Sequence, residues 1–312
     1  MKRRKNNIIQ LCVLGILGAA VLFTLIFPNL NVHVKRREPL EISAVMRDVD
    51  SRLWSGLRMG MEQAASDLGA ELRFLSPTSG TSSEQEELIQ REAERGTDAM
   101  IVLPRDSEQL EQKIDFGEIP IISLESPLAG SRETVAPDHP QIGTQLAGLV
   151  VQEGAKQPVL LVSCYPKSSG VTQRVEAAQQ ALKKAGIQTI LYYGDTFTQI
   201  EETANQQKAG QIVALDSKAT LLLAEGYADS QSHPQVYGVG SVGEITTGLE
   251  TGVLSAVAVW SEYAAGYMAV EYAVASAGGS TSRTEGTLRT SIIKEDEIYE
   301  PENQKLLFPI IS

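Results

Sequence analysis

Residues 41–69 read EISAVMRDVDSRLWSGLRMGMEQAASDLG, and this stretch decides the fold. Residues 41–46 form a mostly apolar run of strand length. After a charged loop, Trp54, Leu57, Met61, Ala64, Ala65 and Leu68 recur at three- and four-residue spacing. That spacing gathers them on one helix face, and Gly69 stands where the helix should stop. A strand feeding an amphipathic helix is half of a βαβ unit, whose strands pair in parallel.

The alternation continues along the chain. Strands are predicted at 72–75, 99–103 and 119–124, with helices at 84–95 and 107–114 between them. After Pro137-Asp138 the pattern restarts, with helices at 141–153, 170–184, 199–208 and 218–228. Strands at 159–164, 189–193, 212–215 and 236–239 alternate with them. The last third adds a helix at 244–249, a strand at 253–259, a helix at 262–276, a small-residue loop at 278–286 and a strand at 288–293. Two βα series divided near Asp138 predict an α/β protein of two lobes, and about 275 residues suit two cores of ordinary size.

The start of the chain differs. Residues 8–27 carry no charge and follow Lys2-Arg3-Arg4-Lys5. Twenty residues at ~1.5 Å rise reach about 30 Å, the thickness of a bilayer's hydrocarbon core. Small residues Gly15, Gly18, Ala19 and Ala20 lie in mid-span, the apolar run continues past them, and Pro28-Asn29 closes it with no evident cleavage site. An uncleaved signal anchor is therefore expected, with a cleaved signal as the alternative. The basic cluster places the N-terminus in the cytoplasm and the body outside, although Lys35-Arg36-Arg37 follow the span. Cys12 reads as a lipid- or helix-facing thiol.

Of 27 Lys and Arg, seven fall in residues 1–37, leaving 20 against 39 acids and a formal charge of −19 on the body. Such a surface repels nucleic acid and anionic lipid. Cys164, alone in the body, has no internal disulfide partner and reads as a small buried hydrophobe. His33, His139 and His233 lack metal-ligand spacing, and neither Gly-x-Ser-x-Gly nor a P-loop occurs, so no metal or cofactor is expected.

Several stretches in this order resemble one family. They are Ile42-Ser43-Ala44-Val45 leading to Trp54-Ser55-Gly56-Leu57, then Gly96-Thr97-Asp98-Ala99-Met100-Ile101-Val102-Leu103-Pro104, then Ile119-Pro120-Ile121-Ile122-Ser123-Leu124-Glu125. Val135-Ala136-Pro137-Asp138 with Gly143, Gln173-Arg174-Val175-Glu176-Ala177-Ala178, and residues 240–260 follow. Over residues 40–300 the chain resembles the type I periplasmic binding proteins, nearest the ribose- and galactose-type sugar receptors. The resemblance implies two Rossmann-like lobes joined by a three-strand hinge, with crossovers near Asp138, Trp260 and Leu288. Residues 1–37 would be stub, anchor and linker. Residues 38–138 with 261–288 would form lobe 1, and 139–260 with 289–312 lobe 2. A ligand would bind between the lobes, at the C-terminal strand ends, and close the hinge.

Carried onto this sequence, the family's site falls on Trp54, Glu125, Arg174, Asp216 and Trp260, with Arg47, Asp50 and Ser51 in the first loop within reach. Trp54 would stack on a sugar face or else anchor its own helix. Glu125, one methylene longer than the usual Asp, would accept from two hydroxyls or else be a solvated strand-end acid. Arg174 would offer its fork to a hydroxyl pair or carboxylate, or be an exposed helix charge. Departures are plain: Gly240-Ser241 replace a strand-end acid, Asp216 replaces an Asn, and Ser51 and Trp260 replace amides. Each unmatched buried polar group costs about 1–3 kcal/mol, so ribose is not assumed. A cyclic sugar leads, followed by a nucleoside or another polar ring.

Three functions compete. The first delivers a solute to an ABC permease; the second is a membrane-tethered co-receptor for a two-component histidine kinase. The third, a glycoside-processing enzyme, would use Glu125 and Asp216 as its acid pair. DNA-binding regulators of the lac-repressor type share the fold but carry an N-terminal helix-turn-helix, where this chain has its apolar span.

Overall fold

The computed structural model describes residues 14–18, 21, 39–114, 117, 119–278 and 288–308. The chain divides into two units, Met1–Glu38 and Pro39–Ser312. Of the span expected at 8–27, residues 14–18 and 21 are described, and they are helical and exposed. The rest of that span lies outside the described residues, as does most of the expected loop 278–286. Among the described residues no helix is long and apolar enough to cross a membrane.

Within the second unit the first sheet holds β1 (Glu41–Val45), β2 (Glu71–Leu75), β3 (Ala99–Val102), β4 (Ile121–Leu124) and β5 (Glu133–Val135), in the order β2-β1-β3-β4-β5. Every pairing is parallel, with Ile42 opposite Leu72 and Ala99. The strands β3 and β4 are buried at every residue, because helices cover both faces. Those helices are α1 (Ser55–Leu68), entered through a 3-10 turn at Ser51–Trp54, then α2 (Ser82–Arg95) and α3 (Ser107–Lys113). The strand β5 was not expected; its three residues, Glu-Thr-Val, are too short and polar to announce themselves.

The second sheet takes β6 (Val159–Ser163), β7 (Thr189–Tyr193), β8 (Gln211–Ala214), β9 (Gln235–Val239), β10 (Ala256–Trp260) and β11 (Thr290–Lys294). Its order is β11-β10-β9-β8-β6-β7, parallel except for β11 against β10. Around it lie α4 (His139–Gln152), α5 (Ser169–Lys184), α6 (Phe197–Gln207), α7 (Ser217–Tyr227), α8 (Gly243–Glu250) and α10 (Pro301–Leu307). Helix α9 (Glu262–Ala277) returns to the first sheet, packing on α1 and the strands β1, β3, β4 and β5. The α1–α9 crossing is backbone-close: a Cβ on Gly60 would sit 1.9 Å from the Tyr263 carbonyl, and one on Gly266 2.0 Å from that of Leu57.

The chain therefore folds as two α/β lobes. It passes between the sheets after Val135, after Trp260 and between α9 and β11. Pro137 and Leu288, on two of these passages, pair in parallel.

Candidate functional site

Residues just past the C-terminal ends of several strands supply the site, as open α/β sheets lead one to expect. Arg47 and Asp48 follow β1, Glu125 follows β4, Tyr165 follows β6, and Ser217 and Lys218 follow β8. Trp260 ends β10, and Glu262 opens α9. These residues, with Trp54, Leu57 and Leu288, line a cavity of about 20 Å³ between the lobes. That volume is room for about one water. The cleft is closed, and its own side chains fill it.

An ion network runs through the filling. Arg47 donates to Glu125 Oε2 at 2.7 Å, and Arg174 to Glu125 Oε1 at 3.2 Å. Arg174 also donates to the Leu215 carbonyl at 2.7 Å and to His139 Nδ1 at 2.9 Å. Its guanidinium lies 5.4 Å from the Trp260 ring centroid. His139 Nε2 bonds the Glu125 carbonyl, so that nitrogen carries the proton and Nδ1 accepts. The backbone of α5 can come this close to α4 because of Gly143, where a Cβ would sit 2.1 Å from the Arg174 carbonyl. Glu125 itself adopts φ +62°, the left-handed region, at the end of its strand.

Burial and charge set the protonation states. Burial alone would raise the Glu125 carboxyl, but the guanidinium groups of Arg47 and Arg174 outweigh it and hold the group below its ordinary value. Burial, reinforced by Arg174, pulls the His139 imidazole down to about 4, leaving it neutral near pH 7. Burial and then the Glu125 charge push the Glu262 carboxyl up to about 8. Burial pushes the Tyr165 phenol up as well, and its hydroxyl donates to Asp48 Oδ2.

The sequence-predicted residues divide. Arg47, Glu125, Trp54 and Trp260 line the cavity, and Arg174 joins them through Glu125. Trp54 lines the cavity and also anchors its helix: its ring stacks on Phe74 (5.7 Å, 22°), and its indole N–H donates to the Asp48 carbonyl at 3.2 Å. Arg174 is no exposed helix charge; it is fully buried. The structure places Asp216 elsewhere, as the buried N-cap of α7. Its oxygens accept the Ala219 amide at 2.9 Å and the Cys164 amide at 2.7 Å. Asp50 caps the 3-10 turn and binds Arg52 at 2.7 Å, outside the cavity lining, and Ser51 is exposed beside it. Sequence reasoning missed Asp48, His139, Tyr165, Lys218 and Glu262. A rule of reading the residue after every strand or crossover would have found Tyr165 and Glu262.

The rim is bridged too. Arg52 of the first lobe reaches Glu225 at 2.7 Å and Glu244 at 2.8 Å on the second. On the opposite flank Ser126 bonds Ser168 at 2.6 Å, Ser107 bonds Ser169 at 3.1 Å, and Lys167 meets Asp106 at 3.1 Å. Among the described residues no cluster of His, Cys, Asp or Glu is built to hold a metal ion. Burial pushes the Cys164 thiol up, and it donates to the Gly194 carbonyl at 3.0 Å, so it is no nucleophile. Aromatic faces beside a guanidinium–carboxylate network suit a polar ring bearing several hydroxyls.

A family model described as periplasmic binding protein domain matches residues 42–281. No curated protein sequence matches the chain. Among solved structures, an ABC transporter solute-binding protein from Agrobacterium vitis, bound to α-D-tagatopyranose, is 18% identical, with 86% of this chain and 99% of that one covered at a TM-score of 0.77. GanP, a glucose-galactose binding protein from Geobacillus stearothermophilus, is 18% identical, covering 84% and 100% at 0.74. A XylFII–LytSN complex is 15% identical, covering 83% and 99% at 0.73. At such identities the likeness shows the fold.

Proposed function

Since the chain belongs to the family of periplasmic binding protein domains, we propose that it is an extracytoplasmic receptor for a small polar ligand, a sugar in the first place. It captures the ligand between its lobes by hinge closure and delivers it to an ABC permease. The observation that carries this reading is the cavity at the C-terminal strand ends of both sheets. Two tryptophans, Tyr165 and the Arg47–Glu125 pair converge there. Neighbours of the same fold are described with tagatose, or as glucose-galactose binding. Since the inner cavity holds about 20 Å³, a sugar reaches it only after the lobes part and the Arg52 and serine contacts break.

The test is titration calorimetry of the full chain against tagatose, galactose, glucose, arabinose, fucose and allose, with nucleosides and amino acids as controls. Binding of at least one sugar at roughly micromolar Kd is expected. Heat from nucleosides or amino acids alone would replace the sugar reading.

A second reading makes the chain a membrane-tethered co-receptor for a histidine kinase, anchored by residues 8–27 with its body outside the cell. It is favoured by a neighbour of this fold whose structure is a complex with a second protein, LytSN. Cross-linking in native membranes, scored for permease subunits or a kinase, separates the two. Mass measurement of the mature N-terminus tests the anchor: loss of residues 1–27 would make the span a cleaved signal.

A further inference from the structure

The three cations nearest the Tyr165 ring are under-neutralised. The Arg47 guanidinium lies 4.1 Å from the ring centroid, that of Arg105 5.4 Å, and Lys218 Nζ 5.9 Å. One carboxylate, Asp48, stands 3.9 Å from Arg47, 4.0 Å from Arg105 and 3.7 Å from Lys218, and it also accepts the Tyr165 hydroxyl. Of the other acids that act on Arg47, Glu125 is shared with Arg174, and Asp216 acts only through space, its oxygens taken by the Ala219 and Cys164 amides. Glu262, pushed up to about 8 by burial, supplies little negative charge near pH 7.

Two donors are also left over. Nη1 of Arg47 and Nη1 of Arg105 are buried and make no hydrogen bond among the described residues. The Arg47 side chain is only 6% exposed, so water does not readily replace the missing partner. A buried donor without an acceptor costs about 1–3 kcal/mol, more for a charged group. Tyr165 also forms a wall shared by the inner cavity and an outer pocket of about 530 Å³ at the cleft mouth, bounded by Ser82, Gln109, Arg105 and Tyr193. A pocket of that size accommodates a pyranose.

We propose that the ligand is an acidic sugar whose carboxylate or phosphate is received by Arg47, Arg105 and Lys218 beside Tyr165. This rests on the solute-receptor reading and narrows it. An oxyanion offers several acceptor lone pairs and no donor, which matches two guanidinium forks and an ammonium. A neutral hydroxyl would satisfy one N–H and leave the excess charge in place.

The experiment is calorimetry of the full chain with matched probes: galactose, galacturonate and galactose 6-phosphate, then glucose, glucuronate and glucose 6-phosphate. Titrations are run at about 50 and 500 mM NaCl, since an ionic contact weakens as salt screens it. At least one acid should bind about tenfold tighter than its neutral parent at low salt and lose part of that advantage at high salt. Whether uronate or phosphate wins identifies the anion. In Arg105→Gln the acid-to-neutral ratio should fall about fivefold, with urea midpoints confirming that the variant is folded. Neutral sugars binding as tightly as both acids would overturn this inference and leave the receptor reading standing. An acid preference unchanged in both Arg105→Gln and Lys218→Gln would overturn it too, and silence from all six probes would count against both readings.

Discussion

Arg174 and Arg52 both cross from one lobe to the other and both end on carboxylates, yet they sit in opposite surroundings. The Arg174 side chain is 0% exposed and meets Glu125, whereas that of Arg52 is 46% exposed and meets Glu225 and Glu244. A buried charge left without its partner destabilises strongly, and an exposed pair is screened by water and salt. The inner network therefore governs whether the closed protein is stable. The rim cluster governs how readily it opens.

The largest expected effect comes from breaking the inner network. Glu125→Ala leaves Arg47 and Arg174 facing each other without their shared acid, and should lower unfolding stability by about 3–5 kcal/mol in urea titrations. Arg174→Ala should cost a comparable amount, because it strips Glu125 of one of its two cations. A loss below about 1 kcal/mol in either variant would erase the contrast with the rim.

Next comes Glu262, which sharpens the comparison by pH. Its folded pKa of about 8 stands above the ordinary 4.5, so the folded state holds the extra proton and stability falls as pH rises between those values. His139 acts with the opposite sign: its folded value of about 4 lies below 6.5, so stability rises with pH across that window. Above pH 6.5 only the Glu262 slope remains of the two. Glu262→Gln should flatten stability from pH 6.5 to 8 and gain about 2–4 kcal/mol at the upper end, read by urea titration at each pH. An unchanged slope would mean that Glu262 is ionised in the closed cleft.

The smallest change in stability belongs to Arg52→Gln, less than about 1 kcal/mol and fading with added salt. Its signature is shape. Small-angle scattering without ligand should show a larger mean radius than the parent at low salt, as the rim bridge to Glu225 and Glu244 is lost. Equal radii would assign closure to the serine flank.

Much of the fold was legible because both faces of each sheet are covered. Runs such as Ala99–Val102 and Val159–Ser163 are then apolar throughout and stand out from their helices. β5 escaped because three residues carry no period. The site was legible only as positions. Asp216 shows why: a strand-end ligand acid and the N-cap of the next helix occupy the same place in a βα unit, and only the bonds to Ala219 and Cys164 tell them apart. For Arg174 the spacing decides between its two readings, since Val171, Val175, Ala178 and Leu182 put it on the buried stripe of α5 and not on an exposed face. Asp48 and Arg105 from two loops and Lys218 from the first turn of α7 converge on Tyr165, a meeting that no local pattern encodes.

The glycine-to-carbonyl contacts between α1 and α9 also bear on how the chain matures. They fasten residues 55–68 to residues 262–277, so the first lobe borrows a structural wall from beyond the whole β6–β10 series. On a ribosome working from the N-terminus, that lobe stays unfinished, one sheet face only partly covered by α1, until the residues of α9 have been made. The second lobe likewise takes its edge strand β11, antiparallel to β10, from beyond α9.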